Sequence, residues 1–343
     1  MGNKLITFAV PSYNSEEYMR KCIDSILTGG EEVEIIIVND GSKDGTGAIA
    51  DEYAAKYPTI CRAVHQENGG HGEGVNQGMR LAAGLYYKVV DSDDWVDEKA
   101  LAELLATVRR HRDEGTLPDL YITNFIYDRV CDNESFTRRY VKNMPAGKFF
   151  GWDDVKPFHG SSVLLMHALM YKVSVLRECG LELPKHTFYV DNIFAYVPLP
   201  FVKKMYYLDI DLYHYYIGRA DQSVNISSFS KRTDQQNRVM LIMANAYDVR
   251  GLKKISKPLY KYMLHTLACL MIITITFTVA VPSKEKYAAL KELWRSIKAK
   301  DKWLHGKLKY RHYPAVHTFL PRPIARAVVI AGYKATRKKV KLG

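Results

Sequence analysis

Asp91-Ser92-Asp93-Asp94 sets three carboxylates in four consecutive residues, directly after the apolar run LYYKVV. Like charges this close repel unless a cation neutralises them, and hard divalent ions take one or two carboxylates together with phosphate oxygens. The chemistry suggested is a Mg²⁺ or Mn²⁺ ion shared with a diphosphate; an acidic turn capping a helix that starts near Asp97 fits the same residues. Asp40 ends a second apolar run and precedes Gly41-Ser42. Its carboxylate suits either a turn cap or the imide N–H of a pyrimidine base, on which Tyr13 from a neighbouring strand could stack. Taken singly, each of these residues is explained by capping or core packing.

These groups act together only if folded segments bring them to one place. LITFAV (5–10) reads as a strand ended by Pro11, after which Asn14 with Glu17 resembles a helix cap. The helix it opens carries Tyr18, Cys22 and Ile26 on one face. VEIIIV (33–38) is a continuous apolar run, expected for a strand buried on both sides. NDGSKDGT then supplies turn residues before the helix AIADEYAAKY. A third strand near 60–66 leads into the glycine-rich NGGHGEGVNQG, with GGHGEG read as a flexible loop, and a helix near GMRLAAG. LYYKVV (85–90) is the fourth strand. This β-α-β alternation predicts a mostly parallel sheet with ligands at the carboxyl ends of its strands. Tyr13-Asn14, Asn39-Asp40 and Asp91 to Asp94 all lie at that rim. Further on, the periodicity predicts a helix over 97–113, a strand pair within 119–150, a helix inside 160–180 and an aromatic strand in KMYYLDIDLYHYYIGR.

VPSYN (10–14), IIIVNDGSKDGT (35–46), the N-x-G pair of Asn68/Gly70 and Asn76/Gly78, and VVDSDDW (89–95) stand in the order and spacing of glycosyltransferase family 2. The chain resembles that family closely over residues 5–100 and more loosely to about 225. The resemblance implies a GT-A fold, a nucleotide-sugar donor and an inverting, metal-dependent transfer. Carried onto this sequence, it implies that Pro11 and Tyr13 line the base pocket and that Asp40 bonds the base. Asp91 falls near the ribose and Asp93 on the metal, with Asn14, Gly41, Asn68 and Ser92 grouped around the donor. Val75 stands where many members carry Arg before the second Asn, so His71 is expected to supply part of that contact. Asp191, in Tyr189-Val190-Asp191-Asn192, matches the family's general base, with a helix N-cap as its plainer reading. His214 is expected to complete the metal shell, Arg219 to neutralise the departing diphosphate, and Trp95 to face the acceptor; a packed strand accounts equally for the aromatic stretch around His214. A non-catalytic nucleotide-sugar-binding or adaptor protein of the same fold is the rival reading. A nucleotidyltransferase would carry a glycine- and arginine-rich loop where VPSYN stands.

At 343 residues, the length corresponds to about two domains. Composition shifts near residue 230, so the expected units are 1–228, holding the α/β GT-A fold, and 229–343, a helical region. With 47% hydrophobic and 25% charged residues, the chain as a whole is neither disordered nor fibrous. Its formal charge of +12 is unevenly placed: from Lys284 onward there are 17 Lys and Arg against 3 Asp and Glu. That surplus, interleaved with Trp and Tyr, predicts attachment to an anionic membrane surface. Nucleic acid is not expected, since no nucleic-acid fold motif is present, and a solvated basic face is the plain alternative. Residues 263–281 contain no Lys, Arg, Asp or Glu. They are long enough for a membrane span, but a basic tail on the far side would contradict the positive-inside rule. A helix buried in a C-terminal bundle, or lying in the interface, is expected instead. Five scattered cysteines without a C-x-x-C pair, and no signal peptide, predict reduced thiols and a cytoplasmic, membrane-peripheral location with a glycan or lipid-linked acceptor.

Overall fold

The computed structural model describes residues 4–129, 134–217, 231–311 and 314–339. The chain forms two compact units, Met1–Val155 with Leu164–Gly218 and Lys156–Val163 with Arg219–Gly343. Residues 156–163, which the sequence reading left in the first unit, thus group with the second.

In the first unit, β1 (Ile6–Ser12), β2 (Val33–Asp40), β3 (Cys61–Gln66) and β4 (Tyr86–Val89) alternate with α1 (Met19–Leu27), α2 (Thr46–Lys56) and α3 (His71–Leu81). These four strands are parallel in the order β3-β2-β1-β4. Beyond them come β5 (Trp95–Val96), α4 (Glu98–Asp113), β6 (Leu120–Arg129), β7 (Glu134–Arg138) and β8 (Phe149–Phe150). The unit is completed by β9 (Leu169–Lys172), α5 (Val173–Glu178), α6 (Asp191–Tyr196) and β10 (Met205–Ile217). The sheet continues β4-β9-β6-β10-β5, with β9 antiparallel to both neighbours and β10 parallel to β6. β1 is buried along its whole length, as an apolar strand covered on both faces must be.

Three local expectations change. The apolar stretch inside 160–180 is not one helix: Met166–Ala168 is a 3₁₀ turn leading into β9 and then α5. A short apolar run is ambiguous between buried helix and buried strand, and pairing between β4 and β6 decides it. Asn14 does not cap α1, whose N-cap position is held by Tyr18. It adopts a left-handed conformation, φ 48°, that Asn tolerates. The glycine-rich segment is also not a flexible loop, because α3 begins at His71. Its glycines serve close packing instead. A Cβ on Gly74 would lie 2.9 Å from Pro11 Cβ, and one on Gly78 would lie 2.5 Å from Ala9 Cβ and 2.8 Å from the Tyr87 hydroxyl. Gly78→Ala is therefore expected to destabilise the unit: overpacking costs about 1–3 kcal/mol, more than the roughly 1 kcal/mol of helix propensity alanine returns. A lower urea midpoint at unchanged m-value checks this, and an equal or higher midpoint would show that α3 can lift off β1 without cost.

The second unit is helical, built from Thr233–Asn245, Lys257–Ala280, Lys284–Lys300, Lys302–Arg311, Ala315–Phe319 and Arg322–Lys339. Helix Lys257–Ala280 is long and apolar enough to cross a membrane, yet 72% of its apolar window is buried within the protein. Its threonines are satisfied along the helix itself: Thr266, Thr274, Thr276 and Thr278 donate to the carbonyls of Tyr262, Leu270, Ile272 and Thr274. Gln236 Nε2 donates to Thr274 Oγ1 (3.0 Å), and the His265 imidazole meets the Ser162 carbonyl at 3.0 Å. Cys22, Cys61, Cys179 and Cys269 are free thiols, and Cys131 lies outside the described residues.

Candidate active site

At the carboxyl end of β2, Asp40 is almost wholly buried. Oδ1 accepts from Gly69 N (2.7 Å) and Gln66 Nε2 (2.7 Å), and Oδ2 from Gly70 N (2.8 Å), while Asn68 Nδ2 donates to the Asp40 carbonyl (2.9 Å). Asp40 thus anchors the turn that feeds α3. Gly41 has φ +71°, and a Cβ there would sit 2.9 Å from Asn68 N. Asn14 ties β1 to the loop after β2: its Oδ1 accepts from Lys43 N (2.9 Å) and its N–H donates to Ser42 Oγ (3.1 Å). Tyr13 beside it is half exposed, whereas Pro11 is buried under Gly74. Ser15 and Ser92 share a hydroxyl hydrogen bond of 2.7 Å, drawing the loop after β1 onto the acidic turn.

His71, the first residue of α3, places Nε2 2.7 Å from Asp91 Oδ1. Burial pulls the imidazole pKa down, but attraction to Asp91 and the hydrogen bond to it, with Asp191 and Asp93 nearby, leave it raised. Burial likewise pushes the Asp91 carboxyl up, and His71 more than reverses this. His71 thus stands at the amino end of α3, where the helix dipole is positive.

Asp94 has a different part. Its Oδ2 accepts from the Tyr213 hydroxyl (2.5 Å) and its Oδ1 from Tyr216 N (2.8 Å), and Tyr213 in turn accepts from Asp91 N (3.2 Å). The acidic turn is thereby fastened to β10. Burial, then Asp93 and Asp91, raise the Asp94 carboxyl well above its ordinary range.

Asp91, Asp94 and His167 offer ligand atoms within 4.8 Å of one another. His167 is stacked on Tyr213 (ring centroids 4.8 Å apart) and lies against Tyr215 (4.6 Å). Burial lowers its pKa to about 4, so the ring is neutral at pH 7, and its buried Nδ1 has no hydrogen-bond partner. A neutral imidazole beside carboxylates is a donor set that fits Mn²⁺ and, through its oxygens, Mg²⁺. Sequence reasoning missed His167; the available signal was a lone histidine inside the apolar LLMHALM. His214 is not brought to this cluster. Successive strand residues face opposite sides, so with Tyr213 turned to Asp94, His214 faces away. Its Nδ1 meets Asp128 Oδ2 at 2.5 Å and its ring stacks on Trp95 (5.1 Å). Trp95 is further covered by the Lys21 ammonium, so the structure gives it packing partners where the sequence suggested an acceptor face. Arg219 lies outside the described residues.

Asp191 is the first residue of α6, with Val190 at the N-cap, so it does not hold the capping position. Burial raises its pKa, opposed by His71 and reinforced by Asp91. The segment before it is pinned to α3. Asn76, fully buried, donates from Nδ2 to the Leu183 carbonyl (2.9 Å) and accepts at Oδ1 from Leu183 N (2.9 Å), and His186 N donates to the Gly69 carbonyl (2.7 Å). His186 and Tyr189 take φ values of 47° and 66°, a strained pair of the kind concentrated at functional loops. Val75, where Arg was expected, is entirely buried. Asp91, His71 and Asp191 thus converge from three segments.

The family model described as Glycosyl transferase family 2 matches residues 7–172. EpsH of Bacillus subtilis is 29% identical over 232 residues, covering 63% of this chain and 62% of EpsH. The glycosyltransferase GlyA of Streptococcus pneumoniae serotype 4 is 27% identical over 223 residues, 64% of this chain and 31% of GlyA. The chain therefore spans less than two thirds of the length of these curated relatives. Among solved structures, S. aureus TarS 1-349 in complex with UDP-GlcNAc superposes with a TM-score of 0.65 at 17% identity. That match covers 99% of this chain and 92% of the TarS chain, a likeness of fold.

Proposed function

The chain belongs to glycosyl transferase family 2 through residues 7–172, and from that premise we propose that it is an inverting transferase. It moves a sugar from a nucleoside-diphosphate donor, UDP-linked, to a hydroxyl of a glycan or lipid-linked acceptor. The observation that carries this reading is the convergence of the His71–Asp91 pair and Asp191 at the N-termini of α3 and α6.

Tyr13 and Pro11 take the base, with Asp40 holding the turn beneath it through Gly69 and Gly70. Asn14, Gly41, Asn68 and Ser92 frame the donor, and Arg219 neutralises the departing diphosphate. The diphosphate meets His71 at the amino end of α3, as anions do at helix N-termini. Mn²⁺ or Mg²⁺, when bound, supplies Lewis-acid stabilisation of the leaving diphosphate. Asp91 and His167 would hold it with the neighbouring carboxylates of the turn, Asp93 among them. Asp191 accepts the proton of the attacking hydroxyl while the bond from the anomeric carbon to the diphosphate breaks on the opposite face of the sugar. Burial raises its pKa, which makes it a stronger base than an ordinary carboxylate. The C-terminal region attaches the protein to the anionic inner face of the plasma membrane, where a lipid-linked acceptor is within reach.

TarS was solved with UDP-GlcNAc, which makes UDP-sugars the first probes. In a thermal-shift panel with Mn²⁺, at least one UDP-sugar is expected to raise Tm by several degrees, and that donor should release UDP when an acceptor extract is added. If UDP and every nucleotide sugar leave Tm unchanged, the reading fails. Binding without acceptor-dependent release would favour the non-catalytic rival.

A further inference from the structure

Helix Arg322–Lys339 has two unlike faces. Ala325 and Val329 are buried, and the helix packs on Lys257–Ala280, where Arg326 Nε donates to the Val279 carbonyl (2.9 Å). The other face carries Ile324, Ala327, Val328, Ala331 and Ala335, all exposed and spaced three or four apart, so that they form one apolar stripe. Ile324 is 53% and Val328 44% exposed. Just before the helix, Phe319 is 67% exposed and Leu320 extends the apolar surface. A continuous exposed apolar face of this kind marks an interaction site.

Charge selects its occupant. From Lys284 onward, 17 Lys and Arg stand against 3 Asp and Glu. A second copy of this chain would bring an equal positive surplus against the first, which repels. Nucleic acid would satisfy the charge but gives Ile324 and Val328 nothing to bury against. A bilayer with anionic headgroups offers both the charge and the apolar depth. We propose that the Phe319–Leu320 corner and the Ile324–Val328–Ala331 stripe of helix Arg322–Lys339 insert into an anionic lipid surface, with the surrounding lysines and arginines on its headgroups. This names the inserting element for the membrane attachment proposed above, and it does not depend on the transfer reaction.

The full chain is sedimented with phosphatidylglycerol vesicles and with phosphatidylcholine vesicles. Wild type is expected to pellet with the first and to stay in solution with the second, and its binding should fall as salt rises. Ile324→Asp/Val328→Asp, with the thermal melt as a check of folding, is expected to lower the vesicle partition by about tenfold or more. Phe319→Ser, at a side chain 67% exposed whose ring lies 5.9 Å from that of Tyr310, should lower it in the same direction. The proposal is overturned if wild type ignores phosphatidylglycerol vesicles. Full vesicle binding by the folded double variant also overturns it, as does a wild-type dimer that this variant dissociates. The UDP-induced Tm shift, measured on the same samples, reports the donor site separately, so failure of the transferase reading leaves the vesicle result standing.

Discussion

Asp191→Asn is expected to lower sugar transfer by about 10² to 10⁴ while leaving the Tm shift produced by a UDP-sugar in place. The amide keeps the shape of the side chain at the start of α6 but cannot take a proton from the acceptor hydroxyl. The pH profile gives an independent check. Burial raises the Asp191 pKa above the ordinary aspartate value. As pH falls through that raised value the base is protonated and the rate drops, so the acid limb of kcat sits higher than for an exposed aspartate. Asp191→Asn should lose that limb along with the rate. Wild-type transfer by the variant would move the base elsewhere. A lost Tm shift would make Asp191 part of the donor site.

Asp91→Ala is expected to remove the difference that Mn²⁺ makes to UDP binding, a change of about tenfold or more in UDP affinity at saturating metal. Asp91 both clasps His71 and belongs to the group with Asp94 and His167, so its loss removes a carboxylate from that group and the hydrogen-bond partner of the His71 ring. His167→Ala should weaken the metal effect, and His214→Ala should preserve it, because the His214 ring is engaged by Asp128 and Trp95. UDP affinity that is the same with Mn²⁺ and with EDTA in wild type would dispose of the metal. A metal effect abolished by His214→Ala and untouched by His167→Ala would return the assignment to the other face of β10.

What could be read in the sequence followed from signals that are local. Buried parallel strands are continuous apolar runs, so β1, β2 and β4 were legible together with the carboxylates at their ends. The helical start of α3 was not, because glycine reads as flexibility. The need for Gly74 and Gly78 arises only when the helix meets Pro11, Ala9 and Tyr87. The choice between His214 and its neighbour Tyr213 also lay beyond the text. Alternation guarantees that the two face opposite ways, but which side holds the acidic turn is set by pairing with β5 and β6. His167 was hidden for the converse reason, since its run read as a helix and the strand that follows it, β9, is defined by partners distant in sequence.

The chain enters the helical unit at 156, leaves it at 164 and enters it again at 219. The two units therefore do not follow one another like beads on a string; a short passage through the second interrupts the first. Ser162, met by His265 in the helical unit, sits only a few residues ahead of His167, which stands beside Asp91. A protease cut near 218 would part 219–343 from 156–163, the eight residues that complete their compact unit. A single recombination after β10 would part the same eight residues from the rest of their unit, so an exchange that carries the whole helical unit has three junctions to join, at 156, 164 and 219.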